Sequence, residues 1–174
     1  MLDVISGGRL VAGFPVGSSM DTNYCYGATP ATLRDKYDEA HNLIVKAWTE
    51  SEPFHFNGKY TQLRYVNTWP KPIQKPHPPL WSACSSESTT RAAAELGLGA
   101  LVGSEGGPAK VGQTLELYNQ ALKKANPTAA APNSHNAMMT AGFCHEDQKE
   151  IDGRATDLIG WYMDQQRERA RLVW

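Results

Sequence analysis

Leu80-Trp81-Ser82-Ala83-Cys84-Ser85-Ser86-Glu87-Ser88-Thr89-Thr90-Arg91-Ala92-Ala93-Ala94-Glu95-Leu96-Gly97 is the stretch that decides the fold. Its first five residues are an apolar run of strand length, entered from Pro78-Pro79 and left through a cluster of serines. Ser85 to Ser88 offer the hydroxyls that cap a helix start, the alanine-rich run predicts a helix from about 88 to 96, and Gly97 ends it. A strand, a short loop and a helix make one βα unit.

Downstream the unit repeats. Gly99-Ala100-Leu101-Val102-Gly103 reads as a strand. After Gly106-Gly107-Pro108 a helix places Val111, Leu115, Tyr118 and Leu122 on one face, and Asn126-Pro127 stops it. Ala129 to Asn136 reads as a loop, Ala137 to Cys144 as a further strand, and Glu146 to about Leu172 as a helix. Its inward face is expected to hold Ile151, Ala155, Leu158, Ile159, Tyr162 and Met163. Gly153 and Gly160 each weaken that helix by up to about 1 kcal/mol, so packing must hold it.

Upstream, Arg9 to Phe14 is a short apolar run closed by Pro15 and Gly17, again a strand followed by a loop of small residues. Thr29-Pro30 is a helix-start signal, and Leu33, Tyr37, Ala40, Ile44, Ala47 and Trp48 recur at helical spacing to about residue 51. Between 53 and 79 the texture changes. Phe54, Phe56, Tyr60, Leu63, Tyr65 and Val66 suggest short extended pieces around the turn Asn57-Gly58, and five prolines from Pro70 to Pro79 then forbid regular structure. The reading is a hairpin-like insertion and a stiff connector.

Four strands, each followed by a helix, indicate a parallel α/β sheet in a single domain over residues 1–174. Four units cannot close a (β/α)8 barrel, so the sheet is either open or part of a barrel. The 174 residues carry 17 basic and 18 acidic side chains. The halves split at residue 87 hold 8 basic and 8 acidic, then 9 basic and 10 acidic. Neither half forms the field that nucleic acid or an anionic membrane would need. No apolar run approaches the roughly 20 residues of a membrane span, and Met1 to Ser6 lacks a basic signal-peptide start, so the expected location is the cytoplasm. Cys25, Cys84 and Cys144 are odd in number and far apart, which argues for reduced thiols over disulfides or a zinc site.

The loop Ser85 to Thr90 is the best candidate for function. It follows a parallel strand and opens a helix, where free N–H groups and the positive dipole end attract a phosphate and hydroxyls add donors. An ordinary N-cap explains the same residues. Gly17-Ser18-Ser19 leaves a strand's C-terminal end, the side where α/β enzymes bind ligands, and a tight turn explains it as well. Cys144-His145-Glu146-Asp147 reads best as a helix cap. His41 reads as core packing and His77 as a connector residue. His55 and His135 show no partner spacing. The five tryptophans are mostly expected in cores. No metal cluster, paired carboxylates or Ser-His-Asp order emerges.

Asp3-Val4-Ile5-Ser6-Gly7-Gly8-Arg9-Leu10, with Gly13 and Gly17 beyond, resembles a segment of the bacterial luciferase-like flavin-dependent monooxygenases. Phe56-Asn57-Gly58-Lys59-Tyr60, Pro70 to Trp81 and Ser85 to Gly97 resemble that family's middle section, in the same order. The resemblance covers essentially the whole chain. It implies a partial TIM (β/α)8 barrel of which the chain supplies about the fourth to seventh units.

The resemblance also implies site residues. The loop matching Ser85, Ser86 and Thr89 holds the flavin phosphate in that family, and the loop matching Val16, Gly17 and Ser18 lies near the flavin. Luciferase itself has Arg where Val16 stands and Glu where Ser85 stands, so the phosphate charge needs other donors here. The family's histidine near the flavin lies on an early strand outside this sequence, so no catalytic residue is transferred and no metal is implied. The implied chemistry uses reduced FMN from a separate flavin reductase, together with O2, to oxygenate a small organic substrate. Relatives use the deazaflavin F420 for hydride transfer instead. A shortened, non-enzymatic flavin-binding protein is the competing reading, and either form is expected to pair as a homo- or heterodimer because four strands leave open edges.

Overall fold

The computed structural model describes residues 1–17, 26–27, 29–104, 106–125 and 131–171. The elements run in the order α1 (Leu2–Ile5), β1 (Ala12–Gly13), α2 (Pro30–Thr49), β2 (Phe54–Asn57), β3 (Gln62–Val66), β4 (Leu80–Ala83), α3 (Glu87–Leu96), β5 (Gly99–Gly103), α4 (Gly107–Lys124), β6 (Asn136–Met139) and α5 (Gln148–Arg171). Four strands form one sheet in the order β1-β4-β5-β6. All three pairings are parallel. Helical segments connect successive strands, which is the arrangement the repeated βα reading requires.

The centre of the sheet is the best-packed part. Leu80, Ala94, Leu98, Ala100 and Tyr118 are fully buried, with Cys84, Ala93, Val102 and Val111 around them. Ala93 and Ala94 are small enough to bring the α3 backbone close to the strands. Gly97 ends α3 at φ 74°, in the left-handed region that glycine enters without a Cβ penalty. The Tyr118 hydroxyl reaches the Leu98 carbonyl at 2.8 Å and the Asn133 carbonyl at 3.0 Å, tying α4 to both ends of β5's approach. Asn133 in turn donates through Nδ2 to the Leu80 carbonyl at 3.0 Å.

Two strands are shorter than their apolar runs. Phe14 N–H still reaches the Trp81 carbonyl at 2.8 Å, but Arg9 to Val11 have no strand beside them because Pro78-Pro79 precede the first residue of β4. The register pairs Gly103 with Met139, so β6 ends where its partner ends, and Thr140 to Cys144 lie exposed beyond it. The helix after it also departs from expectation. Leu158 and Ile159 are 51% and 52% exposed and Tyr162 is 39% exposed. Apolar periodicity identified the face, but none of the described residues covers it. Tryptophans divide in the same way: Trp48 and Trp81 are half-buried, whereas Trp69 and Trp161 are exposed.

The stretch 53–79 contains the antiparallel pair β2-β3 and the proline-rich connector. Glu39 on α2 holds the hairpin turn by accepting from the N–H groups of Tyr60 and Thr61. A Cβ at Gly58 would collide with the Glu39 carboxylate, which is why this turn uses glycine. Burial works against the charged Glu39, but N–H donation from Tyr60, Thr61 and Lys59 outweighs it and keeps the carboxyl below its ordinary range.

Candidate functional site

The segment beginning Asp3 is a latch. Asp3 is 2% exposed; its Oδ2 accepts from the N–H groups of Ile73 at 2.7 Å and Gln74 at 3.0 Å, and its Oδ1 accepts from Gln74 Nε2 at 2.8 Å. The Gln74 backbone donor leads the set that holds this carboxyl below its usual pKa, against the opposing effect of burial. Gly7 and Gly8 turn the chain at φ 66° and 79°, and Gly8 N–H returns to the Asp3 carbonyl. The result fixes the approach to β1 against the connector that leads into β4.

β1 and β4 therefore end side by side. The chain leaves them through Val16-Gly17 and Ser85-Ser86, placing both loops at the C-terminal end of the parallel sheet. Val16 is half-buried and Gly17 is exposed at φ 108°. Ser18 lies outside the described residues.

Ser86 and Thr89 form a reciprocal cap on α3. Ser86 N–H donates to Thr89 Oγ1 at 3.0 Å, and Thr89 N–H donates to Ser86 Oγ at 3.3 Å. The Thr89 hydroxyl proton goes to the Ser86 carbonyl at 3.0 Å, so this side chain is committed to positioning the loop. Ser86 and Ser88 hydroxyls lie 3.0 Å apart and are exposed, and the N–H groups of Glu87 and Ser88 are the first two of the helix, with no intrahelical acceptor. Ser85 is exposed beside them. Arg91 folds back on Glu87 at 2.8 Å, which offsets the one acidic charge in the first turn.

A cavity of about 210 Å³ opens at this cap. Ser85, Ser86, Glu87 and Thr90 form one wall, and Lys110, Gln113, Thr114 and Leu117 of α4 form the other. Lys110 was not singled out from the sequence. A solitary lysine in the first turn of a helix carries no signal until the fold sets α4 beside α3. It supplies the cation that the replacement of Arg by Val at position 16 leaves wanting. Free N–H groups, two exposed hydroxyls and a lysine around one cavity fit a phosphate group.

Other candidates do not join this site. Cys84 is buried and its thiol is pushed up by burial, which keeps it protonated and unreactive. Cys144 and His145 lie on exposed chain beyond β6; His145 Nδ1 accepts from Asp147 N–H at 3.0 Å, as a cap would. Cys84 and Cys144 are free thiols. His41 and His77 are buried at 3% and 4% exposure, away from the loop residues that line the cavity. His135 bonds Asn133 Oδ1 at 2.9 Å. Among the described residues there is no group of three or more His, Cys, Asp or Glu side chains able to hold a metal ion. Nor is any helix among them long and apolar enough to cross a membrane.

Comparison with known proteins places this geometry. Monooxygenase RslO1 from Streptomyces bottropensis superposes with a TM-score of 0.72 and 26% identity, over 99% of this chain and 50% of that one. The oxygenating constituent of 3,6-diketocamphane monooxygenase from Pseudomonas putida, a type II Baeyer-Villiger monooxygenase solved in complex with FMN, gives 0.74 and 23% over 94% and 48%. The uncharacterized protein y4wF of Sinorhizobium fredii is 33% identical over 98 residues, 56% of this chain and 28% of its own length. The chain thus spans about half the length of the solved structures it matches, and the fold it shares with them is a partial luciferase-like barrel. The family model for luciferase-like monooxygenases matches residues 1–174 from end to end, and the chain belongs to that family.

Proposed function

We propose that this chain forms the phosphate-binding half of a flavin-dependent monooxygenase that uses reduced FMN and O2 to oxygenate a small organic substrate. The carrying observation is the cavity between the Ser86 cap and Lys110, at the C-terminal end of the parallel sheet. In this reading the Glu87 and Ser88 N–H groups and the Ser85, Ser86 and Ser88 hydroxyls donate to phosphate oxygens. Thr89 holds Ser86 in place, and Lys110 offsets the phosphate charge. Val16, Gly17 and Ser18 flank the flavin beyond the next strand end. Bound reduced FMN supplies the electrons for oxygen activation, and the chain's share is to bind, orient and keep water out. A separate flavin reductase supplies the reduced cofactor.

Titration of the purified chain with oxidised and reduced FMN, followed by flavin and protein fluorescence, tests the reading. Saturable binding is expected, weakened about tenfold or more by Ser86→Ala or Lys110→Ala, in line with the loss of one charge-assisted hydrogen bond. Thr89→Ala should act less directly, weakening binding together with the thermal stability of α3. Parallel titration with F420 decides between the two cofactors, and a folded chain that binds neither overturns the proposal.

A further inference from the structure

The sheet has two open edges. On β1, Ala12 and Phe14 N–H groups point to β4, leaving the alternate backbone groups of Val11 and Gly13 facing outward. At the other side β6 pairs only with β5. Val11 is 58% exposed and Met138 and Met139 are 56% and 55% exposed, so apolar side chains accompany both edges. Open parallel edges with apolar flanks favour another strand.

The edges also differ in charge. Residues 59–79 contain Lys59, Arg64, Lys71 and Lys75 and no acidic residue. This segment runs against the approach to β1 through the Asp3 contacts with Ile73 and Gln74. Residues 140–164, which follow β6, contain six acidic residues against Lys149 and Arg154. A chain of net charge −1 therefore carries a basic flank at one edge and an acidic flank at the other.

We infer that a second copy of this chain completes the barrel, with β1 of each copy pairing with β6 of the other. Four strands are half of the eight a (β/α)8 barrel needs, and the chain spans 50% and 48% of two structures of its fold. A two-fold axis parallel to the strands keeps all eight in one direction and closes both edges together. The alternative two-fold axis, perpendicular to the strands, sets β6 against β6 or β1 against β1. It brings like charge to like charge and leaves one edge open on each copy. The closed arrangement brings basic flank to acidic flank twice, and both copies deliver their Ser86 loops to the same mouth. The inference rests on the fold and the charge pattern, so it stands or falls independently of flavin binding.

Sedimentation of the full chain is expected to give a species of twice the chain mass, dissociating as salt is raised. The pairing itself is read from two single-cysteine variants, Val11→Cys and Met138→Cys, each on a Cys144→Ser background and mixed before treatment with a short thiol cross-linker. Every link is then between chains. Cross-linked product is expected in the mixture and in neither variant alone. A monomer at micromolar concentration overturns the inference, as does an open-ended polymer or a link formed within Val11→Cys or Met138→Cys alone.

Discussion

Two leucines on successive βα units have opposite fates. Leu80 on β4 is fully buried, whereas Leu158 on α5 is 51% exposed, although each occupies the apolar face its sequence periodicity assigns. The difference lies in their neighbours. β4 has β1 on one side, β5 on the other and α3 across it, so every direction is filled by this chain. α5 follows an edge strand and has only one side to rest on. Hydrophobic patterning states what a residue prefers, and the position of its element in the sheet decides whether the chain itself can satisfy it.

The largest expected effect falls on the inner region. Leu80→Ala removes a side chain packed among Cys84, Ala94 and Val102 in the fully enclosed core, and should cost about 2–5 kcal/mol in urea unfolding. A cost below about 1 kcal/mol would mean the centre of the sheet collapses around the gap, and the contrast between centre and edge would be lost.

A smaller effect comes from His41, on the face of α2 that packs against Phe14. Both ring nitrogens are buried without a hydrogen-bond partner, and the nearby His77 leaves its Nε2 unpartnered as well. Burial pushes the His41 pKa below its ordinary value of 6.5, an effect the neighbouring His77 reinforces and that Asn42 and Asp38 oppose. The unfolded chain therefore binds the proton more tightly than the folded one. Stability is full above pH 6.5 and declines as pH falls from there toward the lowered folded value. Asp3 and Glu39, whose carboxyls are also depressed, add their own losses only below about pH 4.5, where their unfolded values lie. Melting temperature followed from pH 8 to pH 5 should therefore fall for the native chain. It should fall distinctly less for His41→Phe, which keeps the aromatic contact and removes the titrating nitrogens. Equal slopes for the two would assign the acid sensitivity elsewhere.

Much of the inner region was legible because its signals are local. Ser86 caps α3 and Gly97 ends it through contacts within a few residues, and β5 spans Gly99 to Gly103 as its apolar run indicated. The ends of β1 and β6 were not legible, because each is set by the end of a partner strand distant in sequence. The candidate site divides along the same line. The serine loop could be read directly, but Lys110 joins it only when α4 lies beside α3. The burial of His41 follows the helix face, while its lack of partners follows from what packs against it.

The smallest effect sharpens the comparison most. Leu158→Ala is the same chemical change as Leu80→Ala, in a helix where leucine and alanine differ little in propensity, so the backbone contributes almost nothing to the difference. With half its surface already in water, Leu158 loses little on truncation, and unfolding free energy should change by no more than about 0.5 kcal/mol. The measurement is best made across a range of protein concentrations. A small effect at every concentration places Leu158 in water even in the assembled protein. A cost that appears only as concentration rises would place it against another chain, because only association can bury a side chain that its own fold leaves exposed.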